Sequence, residues 1–147
     1  MDLWRISSYI DLSGAGGLNS GARWHSKGRR IVYLADHPSS ALLEMLVHMD
    51  RDLVPATYQL LRIVIPADIA IETIGGDELS ADWRTETMAS RQVGDRWLDR
   101  SSSALLQVPS AITQQGHNFL LNPAHPDAAK IAVAEIVHAP FDPRLIK

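Results

Sequence analysis

The sequence predicts an α+β fold, built as a single compact domain of antiparallel or mixed short strands with flanking helices. Six or so apolar runs have the length of strands, and two longer stretches have helical character. The two kinds of element do not alternate regularly, as the βαβ units of a parallel sheet would. The chain has 147 residues, the usual size of one domain, and no stretch has the composition of a linker. One domain spanning residues 1–147 is therefore expected.

The first 50 residues are predicted to hold three strands and a helix. A strand spans Leu3 to Tyr9, and two short strands, Arg23 to His25 and Arg30 to Ala35, follow a glycine-rich loop. Proline suits the first turn of a helix, so the run Asp36-His37-Pro38 indicates a helix that continues to about Asp50. Its apolar residues have the spacing of a buried stripe: Leu42, Met45, Leu46 and Met49.

The remaining chain is predicted to add a second helix and four strands. The helix is polar and runs from about Thr87 to Arg100, although Gly94 interrupts it. One strand precedes this helix and three follow it: Ala56 to Ile65, Ala104 to Val108, His117 to Leu121 and Ile131 to His138.

Composition excludes several classes of function. The net charge is −3 and the sequence pI about 6.0, so the basic surface of a nucleic-acid-binding protein is not expected. The chain has no cysteine, which excludes disulfides, a thiolate nucleophile and cysteine-bound metal sites. No apolar run approaches the 18 residues of a membrane span, and the start lacks the pattern of a signal peptide. These features favour a cytoplasmic protein.

Spacing alone singles out two sets of candidate residues. Glu44 and His48 are four residues apart and share one face of the first helix, although an exposed ion pair would give the same pattern. Arg23 and Trp24 follow the glycine-rich loop, an arrangement suited to a phosphorylated ligand with a ring. A surface arginine beside a core tryptophan is the alternative. The loop at residues 14–21 fits neither the Rossmann fingerprint nor the Walker motif.

Two other enzyme classes receive little support from spacing. The six histidines form no compact metal-ligand pattern, although separate histidines could still converge in the fold. Ser110 does not lie in the Gly-x-Ser-x-Gly motif of serine hydrolases. Asn118 and Asn122 either cap a turn or line a pocket. A metal-dependent hydrolase and a non-catalytic binding module thus stay open as alternatives.

Several motifs in order resemble one family along nearly the whole chain. They are LWRI at residues 3–6, GARWH at 21–25, IVYLA at 31–35, SALLEMLVH at 40–48, VPSA at 108–111 and NFLLNPAHP at 118–126. This set resembles the RES domain, whose name comes from an Arg, a Glu and a Ser, here Arg23, Glu44 and Ser110. Phe119 stands where tyrosine is common in the family. The stretch Gly75 to Arg100 matches least, and no role is assigned to it.

The resemblance implies a toxin of a RES–Xre type II toxin–antitoxin system, with a fold similar to ADP-ribosyltransferases of the diphtheria-toxin kind. Such a toxin consumes NAD⁺ by cleaving the nicotinamide–ribose bond, with water or phosphate as acceptor. The alternative is an ADP-ribosyltransferase that modifies a cellular protein. The implied partner is an Xre-like helix-turn-helix antitoxin that blocks the active site, while the toxin itself contacts neither nucleic acid nor membrane.

The resemblance also implies roles for individual residues. Glu44 would stabilise the positive charge that develops on the ribose, and Tyr33 would stack on the nicotinamide ring. Arg23 and Arg5 would bind the pyrophosphate, and Ser110 would bind the nicotinamide amide or a phosphate. His48 would orient Glu44. No metal and no cofactor is expected, because NAD⁺ is the substrate and nicotinamide is already a good leaving group.

Overall fold

Seven strands form one sheet in the computed structural model, which describes residues 1–146. The strands are β1 (Asp2–Ile6), β2 (Val32–Ala35), β3 (Thr57–Val64), β4 (Ile71–Thr73), β5 (Leu105–Pro109), β6 (His117–Leu121) and β7 (Ala132–Pro140). Their order in the sheet is β4-β5-β6-β2-β1-β3-β7. Only the β4–β5 pair is parallel, and the other five pairs are antiparallel. The predicted α+β class with a mixed sheet is confirmed.

Three α-helices accompany the sheet: α1 (Gly16–Asn19), α2 (Pro38–His48) and α3 (Met88–Arg100). The start of α2 follows the predicted signal, because Pro38 occupies the first turn and the ring of His37 accepts the Ser39 main-chain N–H at 3.2 Å. Helix α3 ends at Ser101, which adopts a left-handed conformation. Four short 3₁₀ segments complete the chain: Arg51–Leu53, Gly76–Glu78, Pro126–Lys130 and Pro143–Leu145.

Two sequence predictions about strands were wrong, and one strand was not predicted. The predicted strand from Leu3 to Tyr9 ends at Ile6. The predicted strand from Arg23 to His25 is a tight turn, in which the Ala22 N–H donates to the His25 carbonyl at 3.0 Å. Strand β4 was not predicted, since its three residues are too few to produce an alternating pattern.

The two faces of the sheet carry two apolar clusters. One contains aliphatic side chains that include Leu3, Leu61 and Leu105, and the other contains three tryptophans, Trp24, Trp83 and Trp97. Neighbouring residues of β5 and β6 contribute to both clusters, because successive side chains of a strand point to opposite faces. These central strands are therefore apolar along most of their length.

The predicted buried stripe of α2 was partly wrong. Ala41 is the only fully buried residue of this helix. Leu42 and Leu46 are half-buried, whereas Met45 and Met49 line a cavity. The apolar face of α2 therefore forms the wall of a pocket as well as packing on the sheet. Within residues 1–146, no helix is both long enough and apolar enough to cross a membrane.

Candidate active site

A cavity with a volume of about 900 Å³ lies where α2, α3, the turn after Gly21 and the strands β1, β2 and β6 meet, and it is larger than a cavity of about 320 Å³ beside α3. Its polar lining residues are Arg5, Arg23, Tyr33, Glu44, His48, Thr87, Arg91 and Asn118. The apolar lining includes Trp4, Trp24, Met45, Met49 and Ile112. Five of the six residues predicted for the site therefore lie in one cavity, and Ser110 is the exception.

Glu44 presents the only carboxylate among the lining residues. It is half-buried on α2, and Asn118 Nδ2 of β6 donates to its Oε1 at 2.7 Å. His48 lies one turn further along, where its Nδ1 contacts the main-chain oxygen of Glu44 at 2.8 Å. The contact that holds the carboxylate thus comes from Asn118, and the contact predicted from His48 is made with the main chain instead.

Arg23 is held by main-chain carbonyls as well as lining the cavity. Its Nη1 donates to the Trp83 carbonyl at 2.8 Å, and its Nη2 donates to the Arg84 carbonyl at 3.1 Å. Its guanidinium carbon lies 5.8 Å from the centre of the Trp83 ring. Each of these nitrogens carries two protons, so each retains one for a ligand.

Tyr33 offers the cavity its ring, because its hydroxyl is already engaged. The hydroxyl accepts the Trp24 main-chain N–H at 3.1 Å and contacts His25 Nδ1 at 2.8 Å. His25 Nε2 lies 2.9 Å from the Ser20 carbonyl, which can only accept, so Nε2 carries the proton and Nδ1 accepts from Tyr33. Burial raises the pKa of Tyr33 well above its ordinary value, although the Trp24 N–H lowers it in part.

Ser110 shapes a loop beside the cavity. Its hydroxyl oxygen accepts the main-chain N–H groups of Ile112 and Thr113, both at 3.1 Å. Ser110 itself is buried and is not a lining residue, whereas Ala111 and Ile112 are. The observed contacts give Ser110 a structural position, and its contact with a substrate stays a prediction.

Helix α3 holds the turn that carries Arg23, although the sequence suggested no role for this stretch. Ser90 Oγ donates to the Arg23 carbonyl at 2.8 Å, and Arg91 Nε donates to the Ala22 carbonyl at 2.9 Å. Asp95 accepts both the N–H and the hydroxyl of Ser26, at 2.9 and 2.6 Å. Each bond joins α3 to the residues around the motif arginine, so the helix fixes the shape of this turn.

Gly94 allows α3 to approach the turn closely. A Cβ atom at this position would lie 1.7 Å from the Trp24 carbonyl oxygen. Only glycine fits there without displacing the helix or the turn. In the sequence Gly94 weakened the prediction of a helix, because glycine is a poor helix former. In the structure it is the position at which α3 contacts the main chain of Trp24.

Arg91 is the charged lining residue that the sequence did not predict. Its Nε is committed to Ala22, and within residues 1–146 its two Nη atoms form no hydrogen bond. With Arg5 and Arg23 it brings the number of lining arginines to three, against the single carboxylate of Glu44. Burial lowers the pKa of Arg5, and Asp11 partly offsets that effect. The cavity is therefore suited to an anionic ligand.

The part of the chain that the structure describes contains no group of three or more His, Asp or Glu side chains able to hold a metal ion. The six histidines lie on different elements, and His25 is committed to Tyr33 and Ser20.

The chain resembles known proteins over most of its length. The model of the RES domain matches residues 2–142. "Toxin Res" of Pseudomonas putida is 45% identical over 139 residues, which cover 92% of this chain and 94% of the relative. The "Prs ADP-ribosylating toxin" of a Sphingobium species is 35% identical over 154 residues, covering 98% and 96% of the two chains.

A solved structure has the same fold. It is the crystal structure of the M. tuberculosis MbcT–MbcA toxin–antitoxin complex, in which one chain superposes with a TM-score of 0.77. The superposition covers 99% of this chain and 86% of that one, at 19% sequence identity. The likeness at this identity concerns the fold alone.

Proposed function

The chain belongs to the RES domain family, and from that premise we propose that it is a bacterial toxin that consumes NAD⁺ by cleaving the nicotinamide–ribose bond. One observation carries the proposal: a single carboxylate, oriented by an amide, lies in a cavity lined by three arginines and a tyrosine ring. Relatives that share 45% and 36% identity with this chain are named Toxin Res.

Glu44 is the proposed catalytic residue. Breaking the N-glycosidic bond leaves positive charge on the ribose, as in glycoside hydrolysis, and a carboxylate held beside the ring stabilises that charge while it develops. Asn118 occupies Oε1, and within residues 1–146 no hydrogen bond is made to Oε2. The second oxygen is thus available to the ribose.

Arginines are proposed to bind the pyrophosphate of NAD⁺. Guanidinium groups bind phosphates through charge-assisted and often two-point hydrogen bonds. Arg91 offers both of its Nη atoms, whereas Arg23 has already committed one proton of each Nη atom to the carbonyls of Trp83 and Arg84. We therefore add Arg91 to Arg23 and Arg5 as a phosphate-binding residue.

Tyr33 is proposed to stack on the nicotinamide ring. Its hydroxyl is engaged with Trp24 and His25, which fixes the ring as part of the cavity wall. Aromatic rings pack in offset or edge-to-face arrangements, so a fixed ring can orient the leaving group. In this proposal NAD⁺ is the substrate, and the reaction needs no metal and no further cofactor.

The acceptor distinguishes two versions of the proposed activity. Water or phosphate gives a glycohydrolase or a phosphorylase, and a protein side chain gives an ADP-ribosyltransferase. The second version has support of its own, because the Sphingobium relative, 35% identical to this chain, is named an ADP-ribosylating toxin. Both versions share the cleavage step and therefore the same role for Glu44.

An antitoxin is proposed as the partner that inhibits the site. The MbcT–MbcA structure is a toxin–antitoxin complex, and its fold matches this chain. Val47 and Ile112 line the cavity and yet are 58% and 37% exposed, so they offer apolar surface that a bound partner would cover. We propose that this partner is Xre-like and that the activity takes place in the cytoplasm.

Release of nicotinamide by the purified chain tests the proposed function. We expect wild-type protein to release nicotinamide from NAD⁺ and Glu44→Ala to do so at least about 100-fold more slowly, the scale of a lost electrostatic contact to a transition state. Parallel reactions with and without phosphate identify the acceptor. A folded Glu44→Ala variant that keeps more than half of the activity would remove Glu44 from the mechanism.

The same assay separates the alternatives. Label from the adenine half of NAD⁺ that appears on a polypeptide identifies a transferase. Activity lost to a chelator, together with bound metal, would favour a metal-dependent hydrolase. Tight binding of a partner by a chain that leaves NAD⁺ unchanged would favour a binding module.

A further inference from the structure

Asn118 makes the one side-chain hydrogen bond that the Glu44 carboxylate receives from the described residues. Its Nδ2 donates to Glu44 Oε1 at 2.7 Å, across 74 positions of sequence. We propose that Asn118 is a positioning residue, which orients the Glu44 carboxylate for cleavage of the glycosidic bond without neutralising its charge. This inference rests on the proposed function, because it assigns a task within that reaction.

The side-chain amide of Asn118 lies on a face of β6 whose other residue is apolar. In β6, Asn118 shares a face with Leu120, and the two pair with Ala35 and Tyr33 of β2. Leu120 belongs to the tryptophan cluster of the core. Asn118 is the polar residue at the end of this otherwise apolar face, at the level where α2 presents Glu44.

The chemistry of the donor explains why an amide is suited to this position. An arginine or lysine at this distance would form an ion pair with the carboxylate and offset its negative charge. That negative charge is what stabilises the positive charge developing on the ribose. A neutral N–H donor fixes the orientation of the carboxylate and leaves its net charge unchanged. The arginines that line the same cavity do not contact Glu44: Arg5, Arg23 and Arg91 are bonded to main-chain carbonyls.

Asn118→Ala tests the orienting role. We expect kcat to fall about 10- to 100-fold, the range for a hydrogen bond to a charged group, while KM for NAD⁺ stays within about twofold. Such a split is typical of an interaction used in the transition state rather than in substrate binding. A kcat within about twofold of the wild-type value, in an active preparation, would overturn the proposal.

Asn118→Asp supplies a readout that loss of structure would not produce. Two adjacent carboxylates share a proton, and in that state the Asp O–H donates to Glu44 as the amide does. We therefore expect kcat of this variant, relative to wild type, to rise as the pH is lowered. A constant ratio of the two kcat values across pH would contradict the orienting role.

The other ionisable groups around the carboxylate have to be controlled. Those that line the cavity are Arg5 of β1, Arg23 of the turn, Tyr33 of β2, His48 of α2 and Arg91 of α3. His48 is the one histidine among these lining residues, so both pH profiles are also measured in a His48→Gln background. We expect the pH-dependent difference between the Asn118→Asp variant and the chain that keeps Asn118 to persist there.

Asn122→Ala is the matched control for loss of an amide from the same motif. Asn122 lies outside the cavity, and its side chain bonds the Ala124 N–H at 3.0 Å and the Ser101 hydroxyl at 3.3 Å. We expect this variant to lower the Tm but to keep the wild-type kcat and pH profile. Equal kcat losses at matched Tm in both alanine variants would attribute the effect of Asn118 to structure and overturn the proposal.

A double-mutant cycle on unfolding measures the bond independently of the reaction. Glu44→Ala, Asn118→Ala and the double variant are unfolded in urea, and we expect their unfolding constants to deviate from additivity by about threefold or more. Additive effects would show that the bond is absent in solution and would overturn the proposal. A wild-type chain that leaves NAD⁺ intact would instead overturn the proposed function and with it the role of Asn118.

Discussion

The two walls of the cavity contribute in different ways. Residues 21–48, which include the turn, β2 and α2, present the side chains of Arg23, Tyr33 and Glu44 to the ligand space. Residues 83–95 mainly hold the first wall, through the carbonyls of Trp83 and Arg84 and through bonds from α3 to the turn. In the proposed reaction the side chains of the first wall act on the ligand, and the second wall holds the first wall in position.

This difference explains part of why the first wall resembles a known motif more closely than the second wall does. A side chain that reacts or binds must be of one type, so the first wall has a recognisable sequence. A main-chain carbonyl accepts a hydrogen bond whatever side chain its residue carries. The carbonyls of Trp83 and Arg84 therefore hold Arg23 without requiring particular side chains at those two positions. Ser90, Arg91 and Asp95, in contrast, hold the turn through their own side chains.

Gly94→Ala should have the largest effect on both walls at once. The added Cβ would lie 1.7 Å from the Trp24 carbonyl oxygen, so α3 and the turn must separate. We expect the free energy of unfolding to fall by about 3 kcal/mol, the upper part of the range for overpacking. NAD⁺ turnover should fall with it, because Arg23 adjoins the displaced Trp24. Urea unfolding and the nicotinamide assay measure the two effects.

Gly16→Ala is the control for this substitution. A Cβ atom at Gly16 of α1 meets no atom within 4 Å. Alanine is favoured over glycine in helices by up to about 1 kcal/mol, so we expect stability to be unchanged or slightly higher and activity to be retained. If Gly94→Ala behaved as Gly16→Ala does, the close approach of α3 would not determine the geometry of the site.

Arg91→Ala tests whether the supporting wall also binds the ligand. We expect KM for NAD⁺ to rise about 10-fold or more, because a charge-assisted bond to phosphate is lost. Arg23→Ala should raise KM as well and should also lower the Tm, since the carbonyls of Trp83 and Arg84 lose their donor. Initial rates of nicotinamide release over a range of NAD⁺ concentrations measure KM, and thermal unfolding measures the Tm.

Arg96→Ala is the matched control on α3. Arg96 is exposed, carries the same charge and lines the smaller cavity on the other side of the helix. Its removal should leave KM within about twofold of wild type, as expected for an exposed charge distant from the ligand. Equal increases in KM for the Arg91 and Arg96 variants would show a general effect of net charge rather than contact with the phosphates.

The smallest expected effect concerns His25, which connects the turn to Tyr33. Burial lowers the pKa of His25, and the Ser20 carbonyl partly offsets this. As the pH falls below about 6.5, the unfolded chain takes up the proton before the folded chain does, so the free energy of unfolding decreases. The stabilisation is fully present above that pH. Unfolding in urea between pH 7 and pH 5 measures the slope.

His25→Asn should reduce this slope. The Asn Oδ1 can still accept from Tyr33, but the side chain does not titrate, so the dependence on pH in this window becomes smaller. The control is His138→Asn, because His138 is exposed on β7 and its replacement should leave the slope unchanged. Identical slopes in wild type and His25→Asn would contradict the proposed coupling between burial and protonation.

The sequence predicted the parts of this molecule that depend on local pattern. Apolar alternation located six of the seven strands, and Pro38 located the start of α2. Residues 23–25 were predicted as a strand because a turn at Lys27-Gly28 separates them from the next strand, whereas contacts with α3 fold them into a turn. Those contacts join residues about 67 positions apart, and no local pattern records them.

In the candidate site, too, the sequence predicted the residues that lie in motifs and missed those placed by distant contacts. The motif resemblance predicted five residues that the fold places in one cavity: Arg5, Arg23, Tyr33, Glu44 and His48. Nothing in a polar helix distinguishes Arg91 from Arg96, because only the rotation of α3 against the turn decides which one faces the ligand. Asn118 did leave a signal, since it is a polar residue on the inward face of an apolar strand. The hydrogen bond between Asn118 and Glu44 was not predictable, because the two residues are 74 positions apart.

The strand order has a consequence for folding during synthesis of the chain. Strand β6 fits between β5 and β2, so the centre of the sheet stays open until residues 117–121 have been made. The 74 residues that separate Glu44 from Asn118 take about 4 to 15 s to translate at bacterial rates. Throughout that interval the nascent chain carries its motif arginine and its glutamate without an assembled cavity around them. The proposed active site therefore cannot form before residues 117–121 have been made.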